Sequence, residues 1–198
     1  MKALSTTLAA GLCIFAATQV SAAKIDINPL GEMTILPVEN LCEVSISNPD
    51  VDYGVLSRWQ LQDVVGRQVS FGKRTLTLSV VCPFKQTMRV VLRSSRSQEG
   101  QLQFGDQGRM SVRVIDAELE GKSTELGSIN SEGILKGASK DHLYLRPDFG
   151  MVATQNGQPI KGKTFTARLE IEPLMSEKAA RVTSLQVSEA NFTLELIK

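Results

Sequence analysis

Apolar and polar residues alternate with period two along much of the chain. Leu76, Leu78, Val80 and Cys82 share one parity, and Thr75, Thr77 and Ser79 take the other. Met88, Val90 and Leu92 alternate with Arg89 and Arg93, and Val112 and Val114 flank Arg113. Phe165, Ala167, Leu169 and Ile171 alternate with Thr166, Arg168 and Glu170. Phe192, Leu194 and Leu196 alternate with Thr193 and Glu195. Each run predicts a strand with one buried face and one wet face. Glu177 to Arg181 is the one stretch of helix-forming composition, enough for a turn or two. Strands without crossover helices imply antiparallel pairing, so the pattern predicts an all-β sandwich or barrel.

Turn residues separate the runs. Asn48-Pro49-Asp50, Pro83, Gln98-Glu99-Gly100, Asp106-Gln107-Gly108 and Gln155-Asn156-Gly157 are such signals. Glu120 to Gly137 is polar and weakly periodic, which predicts a long surface connection. No internal repeat or low-complexity tract interrupts the chain, so one domain is the economical reading. The segment before the first strand differs. Ile25, Ile27, Met33 and Ile35 share parity with Gly31, and Pro29 and Pro37 interrupt them. It reads as a strand-capable arm rather than a core strand.

The N-terminus changes the setting. Lys2, the apolar stretch Leu4 to Ala17 and the small-residue site Val20-Ser21-Ala22 have the anatomy of a secretory signal peptide. The apolar stretch is too short for a permanent membrane span. Cleavage would start the mature chain near Ala23 and remove Cys13. Lipidation at Cys13 is not expected, because Leu12 stands where a small residue is needed. The whole chain has 22 Lys+Arg and 21 Asp+Glu, and loss of Lys2 would balance them. Near-zero net charge argues against a nucleic-acid or anionic-membrane partner. Cys42 and Cys82 would remain as an isolated pair. In an oxidising compartment such a pair is most simply a disulfide, with two buried free thiols as the alternative. Closing that loop would stabilise the fold by about 4 kcal/mol in the chain-entropy picture.

Catalytic chemistry is hard to assemble. The one histidine, His142, stands beside Asp141, but no G-x-S-x-G elbow supplies a serine. Ser70-Phe71-Gly72-Lys73 and Ser128-Ile129-Asn130 match fragments of penicillin-binding motifs by chance, since Ser70 lies in strand-like sequence. Asp50 and Asp52 lack the glycine and terminal glutamate of a calcium loop. Phosphate loops and dinucleotide fingerprints are absent. The expectation is therefore no enzyme, no metal and no cofactor. Asn191-Phe192-Thr193 fits a glycosylation sequon but lies in a predicted strand. Trp59 with Arg58 offers an exposed binding spot, although a lone tryptophan more often packs in a core.

The combination resembles the pilin subunits of the chaperone–usher pathway, and most closely the β-fimbriae-like subunits. The residues that carry the resemblance are Thr34-Ile35-Leu36-Pro37 leading to Cys42, then Val44-Ser45-Ile46-Ser47-Asn48 and Val51-Asp52-Tyr53-Gly54. Leu76 to Pro83 follows, with a weaker match in Phe104-Gly105 and Met110 to Leu119. The resemblance implies an immunoglobulin-like antiparallel sandwich that lacks its last strand. It divides the chain into a signal peptide (1–22), a donor-strand extension (23–37) and a pilin-like domain (38–198).

The function it implies is mechanical. A periplasmic pilus chaperone would fill the groove, and an outer-membrane usher would then exchange it for the arm of another fimbrial subunit. The route would run through the periplasm to a surface fimbrium. Ile25, Ile27, Gly31, Met33 and Ile35 would be the donor residues. Phe192, Leu194 and Leu196 would form the terminal strand lining the groove, and Cys42–Cys82 would tie the first two strands. The sequence departs from the family at both ends: Pro29 lies in the arm, Ile197 is penultimate where a tyrosine is common, and Leu185 to Ala190 lack glycine. The alternative is a self-sufficient periplasmic or secreted β-sandwich binding protein.

Overall fold

The predicted strand runs all form strands, because each buries one face against a facing sheet. The computed structural model describes residues 42–197. In chain order the early strands are β1 (Glu43–Ile46), β2 (Gln62–Val64), β3 (Gln68–Ser70), β4 (Arg74–Gln86), β5 (Arg89–Arg93) and β6 (Ser97–Gln98). Then come β7 (Gln101–Phe104), β8 (Gly108–Leu119), β9 (Lys122–Ser123), β10 (Glu125–Asn130) and β11 (Leu135–Lys140). The last are β12 (Leu143–Leu145), β13 (Phe149–Gln155), β14 (Gln158–Pro159), β15 (Gly162–Ser176) and β16 (Thr193–Ile197).

The strands make two antiparallel sheets. The first has the order β1-β4-β15-β8-β7-β6, with β3 also on β15. The second has the order β11-β10-β13-β5-β16. The sheets face each other as an immunoglobulin-like β-sandwich. Leu78, Val80, Val114 and Leu169 of the first sheet meet Val90, Leu92, Leu126 and Met151 of the second in one core. Burying each such side chain is worth roughly 1.5–3 kcal/mol. The disulfide Cys42–Cys82 joins the start of β1 to β4, and Cys82 is buried.

Glu99 and Gly100 both have positive φ (52° and 72°) between β6 and β7, and Asn156 and Gly157 (52° and 73°) do the same between β13 and β14. These are the two-residue hairpin turns that the sequence signalled.

Three expectations need correction. The stretch 120–137 is not a surface connection. It carries β9, β10 and the start of β11, and Leu126 and Ile129 are fully buried. Its periodicity is masked because Leu126 faces the main core, whereas Ile129 faces a second cluster with Val91 and Val152 on the opposite side of the sheet. Pro83 does not end a strand. It lies inside β4, within the break where the β4–β15 register shifts between Val81 and Gln86. A proline is tolerated there because the ladder is already interrupted. Trp59 is not a core residue: it is 93% exposed, on a 3-10 turn at Arg58–Gln60. Glu177 to Ala180 forms a single turn, closed by the Ala180 N–H donating to Ser176 O at 3.1 Å.

The expected signal peptide and the arm residues Ile25, Ile27, Gly31, Met33 and Ile35 lie outside the described residues, as do the boundaries after residues 22 and 37.

Candidate functional site: an edge strand and the adjoining cavity

The second sheet covers only part of the first. Beyond its limit, side chains on the inner face of the first sheet form the floor of a cavity of about 1020 Å³. Ile46 of β1, Leu76 of β4, Phe104 of β7, Met110 of β8 and Ile171 of β15 make that floor. Among the described residues, no strand of the second sheet contributes to its lining. Two segments without strand structure take its place. One runs from Pro49 to Leu61, and the other from Ala179 to Phe192.

Both segments turn apolar side chains outward. Val55 and Trp59 on the first wall are exposed, and Leu185 and Val187 on the second are 78% and 86% exposed. All four line the cavity. An aromatic series leads inward from the first wall. Tyr53 meets Phe71 edge-on at 6.4 Å, and Phe71 meets Phe104 edge-on at 5.1 Å. The Arg74 guanidinium lies 5.1 Å from the Tyr53 ring centre. The Tyr53 hydroxyl is buried and has no hydrogen-bond partner. Burial pushes its pKa up to about 12; Arg74 opposes the rise and Glu172 adds to it.

The second wall is held at few points. The Gly105 N–H donates to Glu189 O at 2.9 Å, and Ser94 Oγ donates to Asn191 O at 2.9 Å. At its base, a hydrogen bond from Arg181 lowers the pKa of the Glu177 carboxyl.

This wall leads directly into β16. Phe192 lines the cavity, while Leu194 is buried in the core and Leu196 packs against it. Two of the three predicted terminal-strand residues therefore face the core, and Phe192 faces both core and cavity. Among the described residues β16 pairs with β5 alone, Leu194 opposite Leu92 and Leu196 opposite Val90. Its other edge has no partner among the described residues. The sheet's far edge, β11, carries Lys136, Lys140 and a positive-φ Gly137 (φ 74°). Such features discourage strand addition. β16 has none of them, with Glu195 as its one charge.

The remaining candidates are dispersed. His142 is exposed between β11 and β12, 6.4 Å from the Tyr144 ring. Ser70 is buried and donates to Glu172 Oε1 at 2.7 Å, whereas Lys73 Nζ donates to Glu170 Oε1 at 3.0 Å. Each side chain of the S-x-x-K match is thus engaged with a glutamate of β15. Asp52 accepts from the Gly54 N–H at 2.7 Å, which makes it a turn residue. Among the described residues, no three His, Cys, Asp or Glu side chains converge as metal ligands. Sequence reasoning missed the walls. Leu185 and Val187 alternate, but their parity differs from that of Phe192 and Leu194, so the run did not join the terminal strand.

The chain matches no protein-family profile. It is 24% identical over 157 residues to the uncharacterized protein YhcE of Escherichia coli (strain K12), across 77% of this chain and 86% of YhcE. It is also similar to a chain of a solved chaperone–tip adhesin complex from CFA/I fimbriae biogenesis. That similarity is 11% identity with a TM-score of 0.42, over 77% of this chain and 40% of the other.

Proposed function

We propose that the protein is a structural, non-enzymatic subunit of a bacterial surface fibre, whose sandwich is completed by a strand from a neighbouring subunit. A periplasmic chaperone holds the open edge first. At the outer-membrane usher the arm of the next subunit replaces it, with Ile25, Ile27, Gly31, Met33 and Ile35 as donor side chains. The observation that carries this reading is the edge of β16, which has no lysine or kinked glycine as a guard and, among the described residues, no second partner, and which follows directly on the cavity wall at Phe192. Strand addition would satisfy the edge's backbone groups while alternate side chains enter pockets. An apolar arm of matching period is present in the same chain.

The test uses the exported protein and a synthetic peptide of residues 23–37. The peptide should bind and raise the unfolding midpoint, by about 2.7 kcal/mol of added stability at one hundred times its Kd. A peptide with Met33→Asp and Ile35→Asp should not. Co-expression with a fimbrial chaperone should give a complex. A chain that is a stable, cooperative monomer alone, and gains nothing from peptide or chaperone, would instead be a self-sufficient binding protein. The exposed Trp59 at the cavity mouth favours that second reading.

A further inference from the structure

Arg58 on the first wall and Arg181 on the second both line the cavity. Each turns its Nη2 to the same carboxylate oxygen, Glu177 Oε1, at 3.7 Å and 2.5 Å respectively. Arg58 is also held by Asp63 Oδ1 at 2.5 Å. The backbone of Glu177 is fixed, because its N–H donates to Arg67 O at 3.0 Å. Among the described residues, Arg58–Glu177 is the one ion pair that ties the first wall to the base of the second. The Arg58 Nε is buried without a partner, so this guanidinium relies on its Nη2 contacts for charge compensation.

We infer that Glu177 is a clasp between the two walls of the groove, and that a strand entering the groove must open it. The identity of the entering strand rests on the strand-addition reading above, whereas the clasp does not. Without the carboxylate the tie from Arg58 to the base of the second wall is lost, and the open arrangement of the walls gains population. The contact is partly exposed, which sets the scale of the effect. Exposed pairs change equilibria by about 1.4- to 5-fold, and salt screens them.

Hydrogen exchange of the purified protein tests this, read separately for 49–61 and 179–192. Glu177→Gln and Arg58→Met should each speed exchange in both walls by about two- to five-fold, and leave β4, β8 and β15 unchanged. Raising salt should speed wall exchange in the wild-type protein but not in Glu177→Gln. The salt series needs no variant, so it stands even if a substitution impairs folding. Exchange that is unchanged in both variants and insensitive to salt overturns the clasp. The association rate of the 23–37 peptide reads the second half of the inference. It should rise with wall exchange in Glu177→Gln, and an unchanged rate beside faster exchange overturns the gating role. Faster exchange with no peptide binding in any variant leaves the clasp standing and removes the strand-addition reading.

Discussion

Tyr53 shows how a single side chain reports on the groove. Its ring is packed between Phe71 and Arg74, and its hydroxyl is buried without a partner. Burial disfavours the phenolate, which is why its pKa is raised to about 12. The sign for stability follows directly. Between the ordinary tyrosine value near 10 and the raised value, the unfolded chain has lost the proton and the folded one keeps it. Stability contributed by this group is present below pH 10 and is lost as pH rises towards 12. Ultraviolet titration should show a tyrosine step well above pH 10, and Tyr53→Phe should remove it. Absence of that late step would mean that the Tyr53 hydroxyl is solvated.

The β10–β11 hairpin carries the lesson at the scale of elements. Polar composition and glycines made 120–137 look like a connection, yet Ile129 is fully buried beneath it with Val91 and Val152. A Cβ at Gly127 would meet Leu135 Cδ1 and Thr154 Cγ2, so those side chains would have to shift to admit one. A strand buried on both faces has no single apolar parity, so period-two counting misses it. Ile129→Ala should therefore cost about 2–5 kcal/mol in urea unfolding, as expected for a core truncation. A surface connection would lose less than about 0.5 kcal/mol. The contrast between edges belongs to the same scale. β11 has lysines and a kinked glycine, whereas β16 presents Leu194, Leu196 and Ile197 with one glutamate.

At the scale of the whole molecule, the disulfide fixes where the first sheet begins. Cys42 stands immediately before β1, and its bond to Cys82 spans a sequence separation of 40. β1 has only four residues and, among the described residues, pairs with β4 alone, so its own ladder is a weak anchor. Replacing both cysteines by serine should cost about 2–5 kcal/mol, measured by denaturant unfolding under non-reducing conditions. The same loss should appear on reduction of the wild-type protein. An unchanged midpoint would place the stability in the sheets alone.

The all-β class, the amphipathic strands, the hairpin turns and the cysteine pair were legible from the residues alone. These are local properties: side-chain parity, φ preferences at Asn-Gly and Glu-Gly, and residue count. Folding alone settled which strands pair, that β16 has one edge without a partner among the described residues, and that the cavity floor at Leu76, Phe104 and Ile171 lies beyond the second sheet. It also brought Arg58 to Glu177 across more than a hundred residues. Such contacts depend on long-range pairing, and neither a period nor a motif encodes which strand will be missing a neighbour.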